Sequence, residues 1–217
     1  MKKIIFGIFA HPDDEAFGPG GTLALFAQKN DVYVICATSG ETATGTIDKN
    51  LGKIRREELR KSCKDLGVKK VFFLGFTDGT LCNNVYQELA EKIEKILKAY
   101  KAQTLITFEP HGVSGHIDHI VMSMVTQFVF PQIKSAKKLM MACLPLKRTL
   151  PMRGKYFVYF PAGYTDEEID EVVDVSSVWE TKQKAMLEHK SQIKDIESIQ
   201  KASQNFPKKE YFLTEEK

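Results

Sequence analysis

The chain has 217 residues, of which 43% are hydrophobic and 27% are charged, and its formal net charge is +3. Length and composition are ordinary for a globular protein and predict a single domain, residues 1–217, with its own hydrophobic core. The small net charge and the lack of a long basic run argue against a nucleic-acid partner. No apolar run approaches the roughly 20 residues of a membrane-spanning helix, so no membrane span is predicted.

The amino terminus and the cysteines bear on the cellular compartment. Residues 1–10 have the charge and apolarity of a signal peptide, but the apolar stretch is only seven residues long and no cleavage-type sequence follows it. The cysteines form no CxxC pair and predict small buried side chains rather than disulfides; they are Cys36, Cys63, Cys82 and Cys143. We therefore expect a cytoplasmic protein.

Short apolar runs alternate with amphipathic segments in the first half of the chain. The predicted strands are 3–10, 31–37, 70–75 and 103–108, and the predicted helices are 20–29, 53–66 and 85–100. A strand and a helix that take turns in this way indicate parallel strands covered on both faces. The predicted fold class is α/β, a Rossmann-like three-layer sandwich with a mostly parallel central sheet.

The second half of the chain has a weaker pattern. A helix is predicted over 116–130, followed by strands over 138–144 and 155–160. Residues 166–171 are acidic and predict an exposed segment. A long final helix is predicted from Ser177 to Ala202, with one break near His189.

Two polar clusters follow two of the predicted strands. His11-Pro12-Asp13-Asp14-Glu15 comes directly after the first strand, and Gly115-His116-Ile117-Asp118-His119 follows the fourth. In open α/β sheets, ligands bind beyond the carboxyl ends of the strands. Two histidines, one carboxylate and a spare carboxylate fit a catalytic zinc site, which has three protein ligands and one open position.

The division of labour between these residues follows from zinc chemistry. If His11, Asp14 and His119 hold the ion, Asp13 is left beside the open position as a general base. Zinc lowers the pKa of bound water from about 15.7 to roughly 7, so that hydroxide can attack a carbonyl carbon. His116 would then donate to the developing oxyanion or the leaving nitrogen, and Asp118 would orient a histidine, in the first place His116.

Other interpretations of these clusters compete with the catalytic one. A lone histidine near a strand end is usually only a satisfied polar residue, but here three of the five histidines fall in the two clusters. A nucleotide-binding Rossmann module is disfavoured because residues 18–22 lack the glycine-rich fingerprint. A metal-binding protein without catalysis is disfavoured because Asp13 is surplus to coordination.

The two clusters together resemble those of the PIG-L/LmbE-like family of zinc-dependent N-acetylglucosaminyl deacetylases. The resemblance extends over nearly the whole chain. Its further motifs are Thr38-Ser39-Gly40-Glu41, Arg55-Arg56-Glu57-Glu58-Leu59, Phe73-Leu74-Gly75-Phe76-Thr77-Asp78-Gly79, and Lys182, Lys184, Ala185, His189, Ser191 and Gln192 near the end. Ile117 departs from the pattern, since many members carry proline there, and this position concerns the backbone rather than the ligands.

The resemblance implies a function and a role for each residue. It implies one zinc ion per chain, held by His11, Asp14 and His119. It also implies Asp13 as the general base and His116 as the electrophilic histidine, with Asp118 as partner of His116. Arg55 would be a substrate-binding residue. The substrate would be a small N-acetylated amino sugar of the N-acetylglucosamine type, or its conjugate. An amidase acting on a thiol-sugar conjugate is the alternative, and the sequence leaves open whether the chain forms a homo-oligomer.

Overall fold

The computed structural model describes residues 2–154 and 159–217. The seven strands in this part of the chain form one sheet. The strands are β1 (Ile4–Phe9), β2 (Asp31–Cys36), β3 (Lys70–Phe73), β4 (Thr104–Phe108), β5 (Lys138–Cys143), β6 (Glu171–Asp174) and β7 (Lys209–Glu216). Their order across the sheet is β3-β2-β1-β4-β5-β7-β6. β1 to β5 run parallel to one another, and β7 lies between β5 and β6 and runs antiparallel to both.

Helices and single helical turns cover both faces of the sheet. They are α1 (Asp14–Phe17), α2 (Gly20–Ala27), α3 (Lys49–Asp65), α4 (Tyr86–Tyr100), α5 (Gly112–Gly115), α6 (Ile117–Val129), α7 (Leu146–Thr149), α8 (Trp179–Leu187) and α9 (Ile193–Ser203). Helix α8 packs against α2 and α3, while α4 packs against α6. No helix of the described residues is long and apolar enough to cross a membrane.

The core lies between the sheet and these helices. On α4, Leu89, Ile93 and Leu97 recur at helical spacing and are completely buried. Burial of a side chain of this kind contributes about 1.5–3 kcal/mol to stability relative to exposure. Three of the four cysteines are buried as predicted, whereas Cys82 is exposed, so the prediction was wrong for that residue; all four thiols are free.

The sheet order places the site. From β1 the chain moves outward to β2 and β3, and then returns to lay β4 on the other side of β1. The segments that leave the carboxyl ends of β1 and β4 therefore diverge from neighbouring positions. A ligand-binding crevice forms at such a switch point in open α/β sheets. Both polar clusters of the sequence begin at this point.

The predicted fold class and most of the predicted elements are confirmed. The final helix is broken as expected, because α8 ends at Leu187 and α9 begins at Ile193, on either side of His189. Of the predicted strand 155–160, residues 155–158 lie outside the described residues, and Tyr159 and Phe160 belong to no strand.

Two strands of the sheet are missing from the sequence-based prediction. β6 is a four-residue strand with a charged residue at each end, and β7 carries four charged side chains among its eight residues. Neither segment is an apolar run, and the predicted acidic segment 166–171 ends at the first residue of β6. These strands form because β7 finds a hydrogen-bonding partner on each side, which is a property of the tertiary structure.

Candidate metal centre

The turn after β1 is compact and strained. Asp13 has φ 128° and ψ −29°, a backbone conformation that residues with a side chain rarely adopt and that costs about 1–3 kcal/mol. Asp14 Oδ2 accepts hydrogen bonds from the amides of Ala10 (3.1 Å) and His11 (2.7 Å). Glu15 Oε2 accepts the amide of Asp13 at 3.1 Å, so this carboxylate stiffens the turn. The surrounding bonds hold the strained conformation in place.

The loop after β4 is organised by the buried carboxylate of Glu109. It accepts the amides of His111 (2.7 Å) and Val113 (2.5 Å) and the hydroxyl of Tyr164 (2.6 Å). Val113 has φ 64°, so this loop holds one strained residue, as the turn after β1 does with Asp13. Gly112 is required here, because a Cβ atom on it would lie 2.8 Å from the Cβ of His119.

The three predicted metal ligands converge. His11 Nδ1 lies 3.1 Å from His119 Nε2 and 3.6 Å from Asp14 Oδ2, and His119 Nε2 lies 3.2 Å from Asp14 Oδ1. Tetrahedral zinc with bonds of about 2.0–2.1 Å separates its ligand atoms by roughly 3.3–3.4 Å. The spacing of these side chains therefore suits an ion of this size.

The hydrogen bonds on the far side of each ring set the direction of its lone pair. His11 Nε2 lies 2.9 Å from Asp78 Oδ1 and 3.1 Å from Asp118 Oδ2, and His119 Nδ1 lies 3.1 Å from the carbonyl oxygen of Gly112. Because these partners only accept, the nitrogens that face them carry the protons. His11 Nδ1 and His119 Nε2 then point two lone pairs at one place beside the Asp14 carboxylate, which is the arrangement of metal-binding histidines.

The electrostatics of the cluster favour a cation. Burial lowers the pKa of His11, but its bonds to Asp118 and Asp78 outweigh burial and raise the pKa to about 10. Burial raises the pKa of Asp14, but the neighbouring His119 and His11 outweigh burial and lower it. The carboxylates of Asp118, Asp78 and Asp14 thus place negative charge around His11, which stabilises a positive charge at this point, whether on the protonated ring or on a bound cation.

Asp13 has a different environment from Asp14. Its Oδ2 lies 2.7 Å from Arg55 Nη2, and burial raises its pKa to about 7 against the charge of Arg55, which lowers it. Arg55 is 4% exposed and also donates to the carbonyl oxygens of Pro12 (2.6 Å) and Gly40 (3.0 Å). The predicted contact between Arg55 and substrate stays a prediction, and the contact that the structure shows is with Asp13.

Glu58 and Arg56 make other contacts than Arg55 does. Glu58, three residues after Arg55 on α3, accepts the amide (2.9 Å) and hydroxyl (2.6 Å) of Ser191. Arg56 stacks on the ring of Phe73, with its guanidinium carbon 4.3 Å from the ring centroid. The pair Arg55-Arg56 thus divides into a buried arginine beside Asp13 and a more open one on α3.

The predicted pairing of Asp118 with His116 stays a prediction, and the contacts that the structure shows for the Asp118 carboxylate are with other residues. The carboxylate of Asp118 contacts His11 and accepts the amides of Gly79 (2.9 Å) and Leu81 (3.1 Å). His116 instead caps α6, since its Nδ1 accepts the amide of Asp118 at 3.2 Å. That bond leaves the proton of a neutral ring on Nε2. Burial and the charges of His11 and His119 lower the pKa of His116, which favours the neutral form.

His116 nevertheless lies beside the proposed ligands. Its ring centroid is 4.8 Å from that of His11 and 4.9 Å from that of His119. Nitrogen atoms of these three rings lie within 4.8 Å of one another, as do polar atoms of His11, Asp78 and Asp118. The described residues therefore offer more possible ligand atoms than a single tetrahedral ion requires.

Two residues that contact the clusters have only weak signals in the sequence. Asp78 appears in the sequence as an Asp-Gly turn, yet its carboxylate binds His11 and accepts the amide (3.0 Å) and hydroxyl (2.7 Å) of Thr42. His189 is completely buried and lies 2.8 Å from Glu15 Oε1, although 174 residues separate the two. Only the family resemblance singles out His189, because no local pattern announces such a contact.

The structure leaves no phosphate cradle in residues 18–22. The amides of Gly21 and Thr22 at the start of α2 donate to the carboxylate of Glu210, at 2.8 and 2.7 Å. Lys182 Nζ neutralises that carboxylate from 2.6 Å. Gly21 also packs so closely on Val175 that a Cβ atom would lie 2.6 Å from it. Gly21 thus serves tight packing, and the amides that a nucleotide would need are occupied.

Comparison with known proteins identifies relatives of this chain. The family model described as PIG-L, GlcNAc-PI de-N-acetylase, matches residues 6–129. A probable N-acetyl-alpha-D-glucosaminyl L-malate deacetylase 2 of Bacillus cereus is 36% identical over 132 residues, which are 55% of this chain and 57% of that protein. A 1D-myo-inositol 2-acetamido-2-deoxy-alpha-D-glucopyranoside deacetylase of a Mycobacterium species is 30% identical over 231 residues, with coverage of 89% and 75%. The chain thus spans between about half and three quarters of the length of these relatives.

A solved structure supports the fold independently. The N,N'-diacetylchitobiose deacetylase from Pyrococcus horikoshii superposes with a TM-score of 0.74 and covers 99% of this chain and 84% of its own. The two sequences are 22% identical. At that identity the likeness concerns the architecture of the sheet and its helices.

Proposed function

Because the chain belongs to the PIG-L family, we propose that it is a metal-dependent hydrolase that removes the acetyl group from an N-acetylated amino sugar or its conjugate. The observation that carries the proposal is the convergence of His11 Nδ1 and His119 Nε2 beside the Asp14 carboxylate, with Asp13 close by and outside the ligand set. A cluster that only bound a metal would not need this second carboxylate. The expected location remains the cytoplasm, which suits the four free thiols.

The metal that we propose is one zinc ion per chain, held by His11, Asp14 and His119. Zinc prefers imidazole nitrogen and carboxylate oxygen, and the open fourth position of a catalytic site admits water or substrate. When bound, the ion polarises a carbonyl group and acidifies water. We prefer Asp14 to His116 as third ligand, because its oxygens lie 3.2 and 3.6 Å from the two ring nitrogens and its rotamer is fixed by two backbone amides.

The residues around the metal would then carry out the proton transfers. Asp13 removes a proton from the attacking water while the water oxygen bonds to the amide carbonyl carbon. His116, in the tautomer that carries its proton on Nε2, donates a hydrogen bond to the oxygen on which negative charge develops. When the C–N bond breaks, the proton held by Asp13 passes to the leaving nitrogen. Acetate and a primary amine are the products.

Asp118 and Asp78 would act on the metal ligand rather than on the substrate. Both carboxylates accept from His11 Nε2, and this keeps the proton on that nitrogen and the lone pair on Nδ1. Each is itself held by backbone or hydroxyl donors from the loop after β3 or from Thr42. Such outer partners fix ring orientation and strengthen metal binding.

The proposal is tested by metal analysis and an assay for released primary amine. The substrates to compare are N-acetylglucosamine, its α-linked conjugates with L-malate and with myo-inositol, and N,N'-diacetylchitobiose. These are the sugars for which the relatives and the solved structure are named. We expect about one zinc per chain, and amine release that a chelator abolishes and zinc restores. A zinc-loaded protein that releases no amine from any N-acetyl sugar would contradict the proposal.

A further inference from the structure

The peptide group between Pro12 and Asp13 is hydrogen-bonded at both its N–H and its carbonyl oxygen. Its N–H donates to Glu15 Oε2 at 3.1 Å, and its carbonyl oxygen accepts from Arg55 Nη2 at 2.6 Å. Rotation of this peptide would relieve the positive φ of Asp13, but it would break both bonds. The orientation of the Asp13 side chain therefore depends on where Glu15 and Arg55 are held.

Glu15 is held from its other oxygen. Its Oε1 lies 2.8 Å from His189 Nε2 and 2.5 Å from Ser62 Oγ, and Glu15, His189 and Ser62 are all completely buried. His189 Nδ1 has no hydrogen-bond partner among the described residues. The contact with Glu15 is thus the one side-chain hydrogen bond for which this buried ring is oriented.

From these contacts we propose that His189 is a positioning residue for the base of the hydrolytic reaction. It holds Glu15 in the rotamer that fixes the Pro12–Asp13 peptide, and thereby aims the Asp13 carboxylate at the metal-binding cluster. This inference rests on the proposed function, because it concerns the residue that takes the proton there. His189 itself touches neither the proposed ligands nor the open position.

The chain offers a matched pair of substitutions at this position. His189→Gln retains an N–H donor that can reach Glu15, whereas His189→Met fills a similar volume without a donor. We expect His189→Met to lower kcat roughly 10- to 100-fold, as small misplacements of a reacting group do. KM and zinc content should stay at parental values, and His189→Gln should recover most of the lost kcat.

Ser191→Ala supplies the control for a purely structural effect. Ser191 lies two residues from His189 in the same segment, but it anchors that segment to Glu58 on α3 and has no bond to Glu15. If the loss in His189→Met came only from loosening the segment, Ser191→Ala would lower kcat as much, and the inference would be overturned. Parental kcat in His189→Met would overturn it as well.

A readout independent of turnover separates this inference from the proposed function. In a crystal structure of His189→Met, we expect φ of Asp13 to leave the positive region, while an unchanged φ would overturn the inference even if the enzyme is a deacetylase. Absence of amine release by the parent would overturn the proposed function alone. If His189→Met does not fold, Ser62→Ala removes the other donor to Glu15 Oε1. It should then lower kcat at unchanged zinc content, and parental kcat would count against the inference.

Discussion

The two turns that build the site are constructed differently. In the turn after β1, His11, Asp14 and Glu15 are buried, and α3 and the segment around His189 hold it from behind. In the loop after β4, His116 and His119 are partly exposed and Ile117 between them is 63% exposed. The turn after β1 is part of the protein interior, and the loop after β4 faces the solvent.

This difference indicates how ligand binding and substrate binding are combined. The buried turn can hold a strained Asp13 in one conformation, because every displacement would break several bonds. The open loop brings His116 and His119 to the same point from the solvent side, where a substrate must approach. In the proposed site the buried turn supplies two of the three metal ligands and the base, whereas the open loop supplies the third ligand and the donor to the developing oxyanion.

The largest effect is expected from removal of a ligand. His119→Ala deletes a nitrogen that lies 3.1 Å from His11 Nδ1, so zinc should be lost together with turnover, by on the order of 10³-fold or more. Zinc per chain and amine release are the measurements. His111→Ala is the matched control, since His111 belongs to the same loop but its side chain is 58% exposed. Retention of zinc by His119→Ala would show that the open loop does not hold the metal.

The next effect separates the two aspartates of the buried turn. Asp13→Asn keeps an oxygen for Arg55 but cannot take a proton, so we expect kcat to fall by roughly 10²- to 10⁴-fold at parental zinc content. Asp166→Asn, a substitution of an exposed aspartate, controls for loss of one negative charge. Parental turnover in Asp13→Asn would remove the assignment of Asp13 as base.

His116 tests the open loop in the same way. His116→Gln should lower kcat by about 10²-fold, the loss expected when one donor to a developing oxyanion is removed, with zinc retained. Metal content decides between two ligand sets, because His116 also lies close enough to His11 and His119 to complete a triad of rings. Loss of zinc in His116→Gln, combined with retention in Asp14→Asn, would assign the third ligand to His116.

The sequence predicts the inner part of this site better than its surroundings. His11, Asp13, Asp14 and His119 are found because one cluster directly follows an apolar strand and the other follows a second apolar strand after a short loop, and the strand order then brings the clusters together. The hydrogen-bond partners of these residues are harder to predict from the sequence. The contacts of the Asp118 carboxylate with His11 and with the amides of Gly79 and Leu81 in the loop after β3 join segments far apart in the chain, and no local pattern predicts them.

The same limit applies to the fold. Apolar periodicity is enough for β1 to β5 and the helices between them, since each of those elements buries its own apolar side chains. β6 and β7 depend on pairing across a separation that no local pattern records, and so does the contact of His189 with Glu15. The sequence thus predicts elements whose pattern is local in the chain, whereas contacts between residues far apart in the chain become visible only in the structure.

The smallest effect should come from the outer support of the open loop. Tyr164→Phe removes the hydroxyl that donates to Glu109 at 2.6 Å, while Glu109 keeps its bonds to the amides of His111 and Val113. Because Tyr164 is only partly buried, we expect the free energy of unfolding to fall by about 1 kcal/mol, which lowers Tm by roughly 2–4 °C in a chain of this size. Thermal unfolding at constant zinc measures this change, with Tyr159→Phe as control because Tyr159 is 65% exposed. Since Asp13 is anchored in the other turn, kcat should change less in Tyr164→Phe than in His189→Met, and the reverse order would mean that the open loop, rather than the buried turn, limits the chemistry.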